Sequence, residues 1–163
     1  MLKPPINTNL FVCIRVHSWL QRLSDSTDLD TGPLVALLDR SEPDHDLVRS
    51  FMAHLRGARL ITTGAVITEA FYFLADVQNG SASLASFLDA SATEVRDVFS
   101  PEALAAAVRL MSKYGDIPMD FPDATLVWTA EQSATDRILS LDRRGFSAFR
   151  FGKNRRFKLL LDL

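Results

Sequence analysis

Short apolar runs alternate along this 163-residue chain with stretches in which apolar residues return every three or four positions. That mixture of strand-like and helical periods predicts an α/β fold, and neither an internal repeat nor a low-complexity segment interrupts it. A first element near Ser26 to Asp30 runs into Thr31-Gly32-Pro33, after which Leu34, Val35, Leu37 and Leu38 begin a helix with proline in its first turn. Pro43 and Asp44 open a second helix, which carries Leu47, Val48, Phe51 and Leu55 on one stripe and ends at Gly57. Arg59 to Thr63 reads as a buried strand. Gly64 then admits a helix running through Val77, with Val66, Ala70, Phe73 and Leu74 expected to face inward and Phe71 and Tyr72 also assigned to the core rather than to a binding platform. A helix over Ser83 to Ala90, a strand over Thr93 to Phe99 and an alanine-rich helix from Pro101 to Tyr114 follow. The turn-rich segment from Gly115 to Asp123 feeds a helix over Ala124 to Ala134, with Asp120 as its expected N-cap and Asp123 at the third helical position. Ile138 to Leu141 supplies the last predicted core strand, and Asp142 lies just past it.

This reading puts four carboxylates, Asp30, Glu69, Asp123 and Asp142, at strand ends or in early helical turns, where folding can gather them. Crowded anions repel and raise one another's pKa, whereas a hard divalent cation with oxygen ligands stabilises the same cluster and makes it a catalytic site. A metal-dependent phosphodiesterase is the leading expectation.

Composition narrows the field. An apolar fraction of 47% suffices for a single-domain core without staples. The one cysteine, Cys13, forms no internal disulfide, and His17, His45 and His54 lack zinc-ligand spacing, so a cytoplasmic protein without a zinc site is expected. The apolar run from Leu10 to Val16 is broken by Arg15 and is too short to cross a bilayer. Residues 1–25 are read as an N-terminal extension, either a helix packing on a neighbour or a start placed too far upstream. The net charge of −2 hides a cationic end, because residues 143–163 hold seven basic side chains against one acidic. Arg143, Arg144, Arg155 and Arg156 are interleaved there with Phe146, Phe149, Phe151 and Phe157. The stretch suits either an RNA backbone with stacked bases or a solvated basic tail with its phenylalanines in the core.

The D-T-G-P-L start at Asp30, the T-E-A segment at Glu69, the M-D-F-P-D-A-T-L-V segment with Asp120 and Asp123, and the S-L-D-R-R-G-F segment with Ser140 and Asp142 together resemble the PIN-domain family. Within that family they look like the VapC-like ribonuclease toxins of type II toxin–antitoxin pairs. The resemblance implies a three-layer α/β/α sandwich with a central, mainly parallel sheet over residues 26–152, followed by a basic C-terminal tail over 153–163. It implies a Mg2+ (or Mn2+) dependent endoribonuclease in which Asp30, Glu69 and Asp123 hold metal and Asp142 completes the set. Ser140 would hydrogen-bond within the cluster, and Asp120 would support it from its outer side without holding metal. It further implies an RNA substrate, a cognate antitoxin in a groove near the site, a homodimer and no membrane.

The first strand departs from the family pattern, reading Ser26-Thr27-Asp28-Leu29-Asp30 where a strongly apolar run is usual. Asp28 thereby becomes a rival to Asp30. Asp30 is preferred because it adjoins the turn, with Asp28 expected on the opposite face or outward. Asp30-Thr31-Gly32 is also the triplet of aspartic proteases, but such an enzyme needs a second catalytic aspartate within a largely β chain. The other rivals are a non-catalytic PIN-like binding module and a PIN nuclease of RNA maturation or DNA repair.

Overall fold

The protein is described by a computed structural model covering residues 26–55 and 57–161, so the expectation for residues 1–25 lies outside the described residues. Strand β1 (Ser26–Leu29) is buried at all four positions, as a strand covered on both faces must be. β2 (Arg59–Thr63) and β4 (Arg137–Leu139) flank it, β3 (Glu94–Arg96) lies beyond β2 and β7 (Lys158–Leu159) beyond β4. All four pairings are parallel, with Asp28 opposite Ile61 on one side and Ile138 on the other.

Parallel neighbours require crossovers, and helices supply them. Helices α1 (Thr31–Leu38) and α2 (His45–His54) join β1 to β2, and α3 (Gly64–Phe73) and α4 (Gly80–Ala90) join β2 to β3. Then α5 (Pro101–Lys113) and α6 (Phe121–Ser133) return the chain to β4, from which α7 (Arg143–Ala148) leads on to β7 through the antiparallel pair β5 (Arg150–Phe151) and β6 (Arg155–Arg156). The flanking helices give the expected α/β/α layers.

The connection leaving β1 goes to one side of the sheet, and the strand on its other side, β4, is reached only after the chain has returned. Open parallel sheets place their ligand crevice at such a reversal, beyond the carboxyl ends of the strands. Asp30 follows β1 and Ser140 follows β4, so the fold aims both at that crevice.

Leu29, Leu34, Val66, Leu74, Leu84, Leu126, Ile138 and Leu139 form the buried centre. Phe146, Phe149, Phe151 and Phe157 extend it, with the Phe146 ring edge-on to Phe149 and Phe157 at 5.4 Å each. These phenylalanines are core, which removes them as base-stacking groups. Nor is the segment after 152 a loose tail, because β7 is hydrogen-bonded to β4 as the sheet's fifth strand.

Two local expectations are corrected. α3 stops at Phe73 rather than Val77, and Leu74 closes it with its N–H on the Ala70 carbonyl. Phe71, Tyr72 and Phe73, expected inside, are exposed, Tyr72 at 77% and Phe73 at 54%. Successive helical residues turn by about 100°, so three in a row cannot share one inward face, and Leu74 takes the buried place. Among the described residues no helix is long and apolar enough to cross a membrane.

Candidate active site

Asp30 ends β1 and caps α1. Its Oδ1 accepts the Thr31 N–H at 2.7 Å, and its Oδ2 accepts the Ser140 hydroxyl at 2.6 Å. Ser140, fully buried, also accepts the Asp142 N–H at 2.9 Å, so one hydroxyl bridges the ends of β1 and β4. Asp142 caps α7 by accepting the Gly145 N–H at 3.0 Å, and a Cβ at Gly145 would collide with Oδ2 of Asp142, so the cap depends on glycine there. Asp120 caps α6 by accepting the Asp123 N–H at 2.9 Å, as expected for a cap and its third helical residue. Glu69 comes from α3, in a half-buried position.

Asp30, Glu69, Asp120, Asp123 and Asp142 line one cleft of about 490 Å3, together with Gly32, Pro118 and Met119. The four acids singled out by sequence, with the outlying Asp120, therefore share a single space. Pro118 and Met119 escaped sequence reasoning, since only the cap geometry at Asp120 brings the preceding turn to the rim. α1, α6 and α7 all begin here, and their N-terminal dipoles favour anionic groups.

The electrostatics reflect the crowding. Burial raises the Asp30 carboxyl from 3.8 to about 6, with the hydrogen bonds from Ser140 and Thr31 opposing and the charges of Asp120 and Glu69 adding. Asp123 is pushed to about 8, again first by burial, then by Asp120, Asp30 and Asp142. As they stand, no three Asp, Glu, His or Cys side chains among the described residues converge as ligands of one ion. The acids face one another across a cleft rather than meeting at a point.

Asp28 is no rival for the site. It is wholly buried in the central strand, so the expected outward alternative is excluded, and neither oxygen has a hydrogen-bond partner. Burial raises its pKa well above the usual carboxylate value, with Arg96 opposing, and so favours the neutral acid.

A second device holds the acid-bearing helices together. The Thr63 and Thr125 hydroxyls are 2.8 Å apart; Thr63 accepts the Val66 N–H, and Thr125 donates to the Pro122 carbonyl at 2.7 Å. Thr63 therefore donates to Thr125, and the chain locks the start of α3, which carries Glu69, to the first turn of α6, which carries Asp123.

The basic residues divide. Arg143 and Arg144 open α7 beside Asp142, with Arg143 donating to the Leu161 carbonyl at 3.0 Å. Arg155 lies toward the other end of the sheet, 3.7 Å from Asp136, which precedes β4, and its guanidinium stacks 4.8 Å from the Phe151 ring. Arg156 pairs opposite Arg150 in the β5–β6 ladder. None of Arg40, Arg49 and Arg109 lines the acidic cleft; Arg40 and Arg49 border a separate groove of about 1480 Å3 with Asp39, Asp46 and Asp76. His45 and His54 bond to backbone carbonyls, and neither lines the cleft.

A doubly wound parallel sheet with an acidic cleft at its reversal point, and these motifs around it, defines a class. Residues 29–152 match the PIN domain, and the chain belongs to that family. It is 35% identical over 124 residues to Ribonuclease VapC26 of Mycobacterium tuberculosis (strain ATCC 25618 / H37Rv), a match spanning 75% of this chain and 90% of that protein. Its fold is similar to that of the M. tuberculosis VapC20 toxin, whose crystal structure is described as that of a sarcin–ricin loop cleaving toxin. The TM-score is 0.66 at 15% identity, covering 72% of this chain and 91% of that one, a likeness of fold.

Proposed function

We propose that this protein is a Mg2+ or Mn2+ dependent endoribonuclease, a VapC-like toxin restrained by a cognate antitoxin and acting on RNA in the cytoplasm. The observation that carries the reading is the cleft itself, where five carboxylates from the ends of β1 and β4 and from α3 and α6 share one space, and where burial first, then the charges of Asp120, Asp30 and Asp142, raise Asp123 to about 8. The donor set is all oxygen, the chemistry that suits magnesium or manganese, and the mutual repulsion is what a cation relieves. Magnesium usually keeps several waters and takes one or two carboxylates plus substrate phosphate, so acids spread around a cleft fit it without a preformed three-ligand cage.

Asp30, Glu69 and Asp123 would hold the ion, with Asp142 completing the set directly or through water. When bound, it would lower the pKa of a water and offset charge on the scissile phosphate. Ser140 fixes the Asp30 carboxylate by hydrogen bond, and Asp120 fixes the first turn beneath Asp123. Hydrolysis forms a water-derived O–P bond and breaks the P–O3′ bond, leaving 5′-phosphate and 3′-hydroxyl ends. Arg144, exposed beside Asp142, would meet backbone phosphate with Arg143 next to it, while Arg155, toward the other end of the sheet, would stand off the strand.

A PIN-like module that binds without cleaving is the second reading, favoured by the absence of three convergent ligands among the described residues. Induced expression in a bacterial host separates the two. The nuclease reading expects growth arrest with new 5′-phosphate RNA ends, abolished by Asp123→Asn and relieved by the antitoxin. Arrest that survives Asp123→Asn, without new ends, supports the binding module.

A further inference from the structure

Beside the acidic cleft runs a second depression, of about 400 Å3, lined by Ala65, Thr68, Glu69, Tyr72, Phe73, Phe99, Phe121 and Pro122. Glu69 borders both, so the two spaces adjoin at one carboxylate. Apart from Glu69 and Thr68 the lining is apolar or aromatic. Tyr72 stands 77% exposed and Phe99 54% exposed, and the Phe99 ring lies 6.2 Å from Phe121. Phe99 also packs over Gly64 at the start of α3, where a Cβ would come within 3.0 Å of the ring. The absence of a side chain at Gly64 lets the edge of the ring approach the helix closely.

We infer that this groove receives an unpaired nucleobase adjoining the scissile phosphate, seated against Tyr72 and Phe99. The inference rests on the nuclease reading and extends it to a specificity-determining subsite. In RNA each phosphate is flanked by planar aromatic bases, so a phosphate-handling cleft that adjoins an aromatic-lined groove at Glu69 matches a nucleotide and its neighbour. Its volume is that of a small-ligand site. A stable protein interface uses roughly 20–30 residues a side, far more than line this groove, and a docked helix is about 10–12 Å across. One base fills such a space better than a partner helix does.

The test uses a single-stranded RNA oligonucleotide that the full-length protein cuts with Mg2+, selected from a randomised pool, and the same oligonucleotide made abasic on either side of the cut. Tyr72→Ala, at an exposed position, and Phe99→Leu, which keeps apolar bulk over Gly64, are compared with wild type, with circular dichroism to establish folding. Each substitution should lower kcat/KM on the intact RNA about tenfold, in line with the usual cost of losing an aromatic stacking partner. One abasic position should lower it similarly, and the substitution combined with that position should cost no more than either alone. Losses that multiply, or an unchanged kcat/KM on intact RNA, would overturn the base-binding subsite. So would a substitution that converts a dimer to a monomer by light scattering and loses equally on both RNAs, which assigns the groove to a protein partner. A wild-type protein that cuts no member of the pool would instead overturn the nuclease reading itself.

Discussion

Asp123 shows the conflict built into the cleft. Its carboxyl titrates near 8 in the fold against 3.8 ordinarily. Below about pH 3.8 folded and unfolded chains both hold the proton, and between there and about 8 only the folded chain does. Stability therefore falls as pH rises through that window and levels off above it. Asp30 adds a fall of the same sign between 3.8 and about 6. Without metal, Asp123→Asn should melt higher than wild type, with a gap that widens up to about pH 8. Magnesium should raise the wild-type melting temperature and not the variant's, and a gap independent of pH would contradict the assigned coupling. Ser140→Ala should leave the fold intact and lower metal affinity or cleavage roughly 10- to 100-fold, because it frees an Asp30 oxygen otherwise held at 2.6 Å. Isothermal calorimetry with Mn2+ checks this, and unchanged affinity would remove Ser140 from the support of the site. Asp30 was legible from the turn at Thr31-Gly32-Pro33, Asp123 from the cap at Asp120 and Asp142 from its place just past a core strand, whereas Glu69 stood out as a carboxylate among apolar helical positions. Asp28 was harder to place, since its burial depends on strands remote in sequence that pair on either side of it.

At the scale of elements, strand ends and helix starts aim the side chains, and contacts between helices set their spacing. Thr63 and Thr125 are 62 residues apart, and nothing near either in sequence announces their hydrogen bond. Thr125→Val should cost about 1–3 kcal/mol by orphaning the buried Thr63 hydroxyl, and Thr125→Ser should restore most of it. Thermal unfolding checks the cost. Mn2+ affinity checks the positioning role, and equal affinity in both variants would confine the pair to stability. The aromatic run Phe71 to Phe73 was misassigned by hydrophobicity alone, because its last helical turn projects three successive side chains around the axis while Leu74 enters the core. β3 came out shorter than Thr93 to Phe99 because it is an edge strand paired only with β2, where Arg59 pairs with Glu94.

Over the whole molecule, charge is divided between the two ends of the sheet. Acids gather past the carboxyl ends of β1 and β4, whereas Arg155 and Lys158 meet Asp136 at the other end of β4. Asp136 and Asp142 are six residues apart, roughly 20 Å at full extension. Arg144→Ala should therefore weaken RNA binding and reduce the salt dependence of its affinity by about one phosphate contact. Arg155→Ala should act more on stability, since that guanidinium already stacks on Phe151 and donates to the Ala134 carbonyl at 3.2 Å. Affinity measured across a salt series, beside melting temperatures, separates the two effects, and equal salt slopes for both variants would show the far end to be an RNA surface as well. The cationic end was visible from composition, but its division was not, because it depends on the chain folding back to place β7 beside β4.

Cleavage of total RNA by the purified protein and by Asp123→Asn, each with magnesium and with EDTA, tests the acidic cleft most directly. Fragments bearing 5′-phosphates are expected only for wild type with metal. Equal cleavage by the variant, or cleavage that persists in EDTA, would contradict this expectation.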